Sequence, residues 1–251
     1  MSEHKKLDVT TPDGVAPCWI HRPAADAGDK KLPGVIMFPD AGSVRPVSSE
    51  MAKHVASWGY VVLEPHIFYR EGDYPPFDLK TAFSDPSEKA RIMKIIGNLD
   101  AAAAMRDAGT YIDALLAEPG VAADRVATIG YCIGGKLAFL TAGHHASRVA
   151  AAAPIHAGGL VSDGDESPHL LASKIEARLY LGIADEDGSC SPAHQAKLIE
   201  ALATAHVRFT IDHFKGRKHG FAMKDFPVHD ERAESLHYLR VRELFTAAFP
   251  R

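Results

Sequence analysis

The segment Gly130-Tyr131-Cys132-Ile133-Gly134-Gly135 sets a cysteine midway between two glycines. That is the G-x-nucleophile-x-G spacing of a nucleophile elbow, with sulfur in the nucleophile position. A side chain carried on a tight turn between a strand and a helix needs glycine two residues to either side, because a Cβ there would run into neighbouring backbone. At the start of a helix the unpaired N–H groups and the helix dipole also favour a thiolate. A free cysteine is more often a small buried hydrophobe, so the assignment rests on the strand before Cys132 and the helix after it. Such a nucleophile needs a base, and the base needs a partner to orient it. Later in the chain, Gly182-Ile183-Ala184-Asp185 closes an apolar run, and His219 lies in Gly216-Arg217-Lys218-His219-Gly220-Phe221 after the next one. Strand ends are where open parallel sheets build their sites. This selects His219 from fourteen histidines and favours Asp185 over its neighbour Asp187. Cys132, His219 and Asp185 would then act as nucleophile, base and orienting acid in acyl transfer.

Apolar runs at Val15 to Arg22, Gly34 to Phe38, Tyr60 to Leu63, Val126 to Gly130, Val149 to Ile155, Arg178 to Ile183 and Val207 to Phe214 read as strands. Helical spacing appears in Val47, Met51, Val55 and Trp58, with Gly59 as the stop, and again in Ala101, Met105, Ala108, Ile112 and Leu115 before Glu118-Pro119-Gly120. Further helices are expected at Ser87 to Ile96, after Cys132, at Pro192 to Ala203 and from about His229 to Phe245. Strands alternating with helices predict one α/β domain over residues 1–251, with a mostly parallel central sheet covered on both faces. Ala24 to Lys31 reads as a surface loop. The long connection His66 to Ser84, rich in Pro, Tyr and Phe, is a candidate substrate-facing wall. His156, just beyond the strand ending at Ile155, either lines the pocket or is a satisfied histidine under a loop.

Composition narrows the partners. The chain has 251 residues, 46% of them hydrophobic and 24% charged, which suits an ordinary globular domain. Its formal charge of -4, without a basic stripe, argues against nucleic acid and anionic membrane surfaces. No apolar signal core or membrane-length stretch is present, so a cytoplasmic address is the expectation. Cys18, Cys132 and Cys190 are too few and too irregular for a disulfide framework or a zinc site, and Cys190 lacks an elbow.

With Gly130-Tyr131-Cys132-Ile133-Gly134-Gly135, Gly182-x-x-Asp185 and His219-Gly220-Phe221-Ala222 in this order, the chain resembles the dienelactone hydrolases, or carboxymethylenebutenolidases, over nearly its whole length. The resemblance implies an α/β-hydrolase fold, hydrolysis of an enol-lactone or related small-molecule ester, and no metal or organic cofactor. It also implies an oxyanion hole made by the backbone N–H of Ile133 and one from the loop after Phe38, around Asp40 and Ala41. Tyr131, Arg45 and His156 are the further candidates for substrate contact. Two departures bear on the substrate. The family's best-known members carry a glutamate against the resting thiol, where this loop reads Pro39-Asp40-Ala41-Gly42-Ser43, with an aspartate displaced by about one position. They also carry an arginine four residues after the histidine to grip a substrate carboxylate, where this chain has Met223. Arg45, Arg70 and Lys224 are possible substitutes, each with an ordinary surface charge as the plainer reading. Two rival functions are an enzyme on a glutaminase-like fold, which would lack the late aspartate and histidine, and a ligand-binding or thiol redox-sensing domain without turnover.

Overall fold

The computed structural model describes residues 4–24 and 31–250; the loop expected from Ala24 to Lys31 lies largely outside them. Eight strands form one sheet: β1 (His4–Thr11), β2 (Gly14–His21), β3 (Leu32–Phe38), β4 (Val61–Pro65), β5 (Val121–Tyr131), β6 (Val149–Ile155), β7 (Arg178–Glu186) and β8 (Phe209–Lys218). Their order across the sheet is β1-β2-β4-β3-β5-β6-β7-β8. Strand β2 runs antiparallel to both neighbours, and every pair from β4 to β8 is parallel. Among the described residues six α-helices flank the sheet: α1 (Pro46–Ala56), α2 (Pro86–Gly97), α3 (Ala101–Ala117), α4 (Ile133–His144), α5 (Pro192–Thr204) and, after the last strand, α6 (Glu231–Ala248). Parallel neighbours require crossovers, supplied by α1 to α5 except between β6 and β7, where the chain passes through a 3₁₀ segment at Pro168–Lys174.

Each strand feeds two cores because successive side chains point to opposite faces. In β3, Ile36 and Phe38 join the core under α3, α4 and α5, whereas Val35 and Met37 join the one under α1 and α6. Residues Ala108, Tyr111, Ile112 and Leu115 of α3 and Leu198 and Leu202 of α5 fill the first. Met51, Ala52 and Val55 of α1 and Val241 and Phe245 of α6 fill the second. Burial on both faces explains why the inner strands read as unbroken apolar runs.

Strand β1 was not evident as a strand from the sequence. Its residues are mostly exposed and polar, as an edge strand permits, and its pairing with β2 through the turn at Thr11 and Gly14 defines it. Two differences in length matter for the site: β7 extends past Ile183 to Glu186, and β8 past Phe214 to Lys218.

Candidate active site

The end of β5 and the start of α4 form the elbow. Cys132, between them, has φ 56° and ψ −120°, a left-handed conformation that is strained for a residue with a side chain. The surrounding glycines make it possible. A Cβ on Gly130 would lie 2.0 Å from the carbonyl oxygen of Gly134, and one on Gly134 would lie 2.3 Å from the carbonyl oxygens of Phe38 and Pro39. Both obstacles are backbone, so neither position can relax around a methyl group. The Cys132 amide donates to the carbonyl of Ile155 at 3.1 Å and to Nδ1 of His156 at 3.2 Å, which pins the turn to the end of β6. Ile133 occupies the first helical position, where an amide has no intrahelical acceptor.

His219 follows β8 directly. Its Nδ1 hydrogen-bonds Oδ2 of Asp187 at 2.7 Å, and the ring also interacts electrostatically with Cys132. Burial works against a charged imidazole here. The interaction with Cys132, and then the hydrogen bond to Asp187, overcomes it and raises the pKa from 6.5 to about 10. Asp187 is buried, which alone would raise its pKa. The bond and charge of His219, then the hydroxyl and amide of Ser189, hold it below the usual carboxylate value instead. The Ser189 amide reaches Oδ1 of Asp187 at 2.9 Å, an Asx-type turn that fixes the carboxylate. Cys132, His219 and Asp187 thus form one row at the C-terminal edge of the sheet, with His219 hydrogen-bonded to Asp187.

Asp185, the favoured acid from the sequence, is not in that row. It is exposed, accepts the Gly216 amide at 2.8 Å and lies 3.6 Å from Nε2 of His213. The strand-end argument selected Asp185 because the apolar run stops at Ala184, but the strand ends two residues later: Asp185 is still within β7, and Asp187 is the first residue of the loop. Ser189 was missed, although an aspartate two residues before a serine is a readable turn signal.

The remaining candidates separate by strand alternation. Tyr131 faces the α6 core, 1% exposed, with its hydroxyl 3.2 Å from Nε2 of His237, so it does not reach the site and its assignment to substrate contact is corrected. His156, also 1% exposed, lies beneath it instead, its ring 5.2 Å from that of His219. Burial, reinforced by His219 and His237, pushes its pKa well below 6.5, and its Nδ1 accepts from Cys132, so it is a neutral ring that supports the elbow. Asp40 and Ala41 are buried in the loop after β3. The Asp40 carboxylate does not face the thiol; it accepts the Gly42 amide at 2.7 Å and two bonds from Arg45, at 2.7 and 2.9 Å. Arg45 also bonds Asp225, a residue the sequence reading passed over, at 2.6 and 2.9 Å. Arg70 pairs with Asp13 and Asp107, and Lys224 with Glu234. Met223 is buried.

A cavity of about 470 Å³ is lined by residues 42–47 of the loop after β3, by His66, Gly72, Asp73, Tyr74, Pro76 and Phe77 of the long connection, and by Asp225; Cys132, His219 and Asp187 do not line it. Of the long connection from His66 to Ser84, the first half lines this cavity. Among the described residues, no group of three or more His, Cys, Asp or Glu is arranged to hold a metal ion, and no helix is long and apolar enough to cross a membrane.

A largely parallel sheet flanked by helices, with an elbow after β5 and site loops after β7 and β8, defines an α/β-hydrolase fold. The dienelactone hydrolase family profile matches residues 20–249, and the chain belongs to that family. It is 26% identical over 225 residues to a "Putative carboxymethylenebutenolidase" of Synechocystis sp., covering 86% of each chain. A Salmonella typhi protein of the same description is 26% identical over 234 residues, 91% of this chain and 82% of that one. Among solved structures, a "Putative Dienelactone Hydrolase" from Klebsiella pneumoniae superposes with a TM-score of 0.85 at 19% identity, covering 98% of this chain and 99% of that one. A dienelactone hydrolase-like promiscuous phosphotriesterase from metagenomic libraries superposes with a TM-score of 0.80 at 23% identity, covering 99% of both. At these identities the superpositions establish the fold.

Proposed function

We propose that the protein hydrolyses a small-molecule carboxylic ester or lactone through a thioester on Cys132, with His219 carrying the proton and Asp187 orienting it. The observation that carries this reading is the row in which His219, hydrogen-bonded to Asp187, interacts with a cysteine held on a strained elbow. Membership of the dienelactone hydrolase family supports the substrate class.

In this mechanism the Cys132 thiolate attacks the acyl carbon while His219 is protonated. The oxyanion sits against the Ile133 amide at the start of α4 and an amide of Asp40 or Ala41 in the adjacent loop. Collapse breaks the bond to the leaving oxygen, which takes the proton from His219; in a lactone that oxygen stays tethered to the acyl group. Water then gives a proton to His219 and attacks the thioester, releasing the acid and restoring thiolate and imidazolium.

Hydrolysis of 4-nitrophenyl acetate and of unsaturated lactones by wild type, Cys132→Ala and His219→Ala tests the proposal, with circular dichroism to verify folding. Each folded variant is expected to lose about a thousandfold or more in kcat/KM. Activity within tenfold of wild type in either one refutes the mechanism.

A further inference from the structure

The cavity lined by residues 42–47 contains one arginine, and its hydrogen-bonding capacity is exhausted. A guanidinium has five N–H groups. In Arg45, Nε donates to Asp225 at 2.6 Å, Nη1 to Asp40 at 2.7 Å and to the carbonyl of Ser43 at 3.2 Å, and Nη2 to Asp40 at 2.9 Å and Asp225 at 2.9 Å. All five are used. Two carboxylates against one guanidinium leave the cluster with a net charge of −1, and Asp73 adds another acid to the lining. The nearby Arg91 lies over the Phe77 ring and is paired with Glu88. Lys136 reaches towards Gly159 and does not line the cavity.

The rest of the lining is neutral and polar or aromatic. Ser43 Oγ, His66 Nδ1 and the Tyr74 hydroxyl are buried without a well-formed hydrogen bond, the two hydroxyls lying near one another. Burial lowers the pKa of His66, which leaves its ring uncharged at neutral pH. Buried polar atoms without partners are unfavourable unless a ligand or water satisfies them. Phe77 and Tyr74 supply ring faces beside them.

The cavity is also tied to the reacting groups from two sides. Its loop leaves β3 at Phe38 and Pro39, whose carbonyls pack on Gly134 of the elbow. On the other side the Arg45 guanidinium lies 5.9 Å from the Phe226 ring, and Phe226 packs against Gly220, the residue after His219.

From these contacts we infer that the group seated over residues 42–47 is uncharged: the substrate is a neutral ester or lactone bearing carbonyl, hydroxyl or aromatic character there, and Asp225 excludes a carboxylate by occupying Arg45. This rests on the ester-hydrolase reading and narrows it. A substrate carboxylate would meet a net negative cluster with no free donor on the one cation present, a penalty of about tenfold or more in kcat/KM.

The test uses two pairs matched in shape and differing in charge: 4-nitrophenyl butyrate with 4-nitrophenyl hydrogen succinate, and 5-methylene-2(5H)-furanone with its carboxymethylidene analogue. Uncatalysed rates are subtracted. Wild type is expected to favour the uncharged member of each pair by at least about tenfold in kcat/KM. Asp225→Asn frees part of the guanidinium and removes the excess charge, so it should shrink that ratio. Added salt in the wild type should shrink it too, by raising the rate on the charged member. Equal or better turnover of the carboxylates, or a ratio that neither Asp225→Asn nor salt moves, overturns the inference while leaving the hydrolase reading intact. Hydrolysis of both pairs that survives Cys132→Ala, or no hydrolysis of either, refutes the hydrolase reading and this inference with it.

Discussion

The acid of the row can be tested by contrast between two aspartates separated by one residue. Asp187 is buried and hydrogen-bonds His219 at 2.7 Å, while Asp185 is exposed and faces Gly216 and His213. A pKa of about 10 for His219 against an ordinary 6.5 corresponds to about 5 kcal/mol of preference for the charged ring, at 1.36 kcal/mol per pH unit. That preference is shared between Cys132 and Asp187. Asp187 supplies part of that preference through its hydrogen bond and charge, so its loss withdraws roughly 2 to 3 kcal/mol from the imidazolium, or about 10²-fold in rate. In Asp187→Asn the amide can also present a donor to Nδ1, forcing the tautomer that turns an N–H towards the sulfur, and wrong-tautomer losses in comparable triads are about 10⁴ in kcat. The expected loss in kcat/KM is therefore about 10² to 10⁴ for Asp187→Asn and less than about threefold for Asp185→Asn. The assay is ester hydrolysis at pH 7.5, with both variants shown to fold by circular dichroism. Comparable losses in the two variants, or an Asp187→Asn enzyme within tenfold of wild type, would refute the reasoning.

Gly134→Ala places a Cβ 2.3 Å from two backbone carbonyl oxygens that cannot move aside. Thermal denaturation should show a loss of at least about 3 kcal/mol or failure to fold, and a Tm unchanged within 2 °C, roughly what 0.5 to 1 kcal/mol produces in a chain this size, would contradict that packing. Removing one partner from the largely buried Arg45 cluster leaves Asp225 as compensation, so Asp40→Ala should cost about 2 kcal/mol, read as a fall in Tm of about 4 to 8 °C. His219 is charged to about pH 10 in the folded protein and to about 6.5 when unfolded. Its contribution to stability is therefore complete below pH 6.5 and is lost as pH rises towards 10. The difference in Tm between wild type and His219→Gln should shrink over that window, and a constant difference would argue against the charged pair.

Much of this was legible from residue types. The elbow is written in the sequence because its geometry excludes every side chain at positions 130 and 134, and the structure supplies the backbone atoms responsible. The inner strands and their helices were legible because each is buried on a defined face, which forces apolar periodicity. Strand β1 was not, since an exposed edge strand takes its identity from a partner rather than from its own pattern. Burial also misled the assignment of the acid. The apolar run of β7 stops at Ala184, but its backbone pairing with β8 continues to Glu186, so the strand end cannot be read from hydrophobicity alone.

Sequence by itself therefore determined the fold class, the elbow with its cysteine, and the strand that delivers His219, because these follow from local sterics and periodicity. Tertiary structure decided which aspartate meets that histidine, which side of β5 Tyr131 faces, and what became of Arg45. Its partner Asp225 lies 180 residues away, and a hydrogen bond between such distant residues is set by how the sheet brings two loops together. Side-chain chemistry names the groups available for the site, and only the packed chain settles which charges are already neutralised.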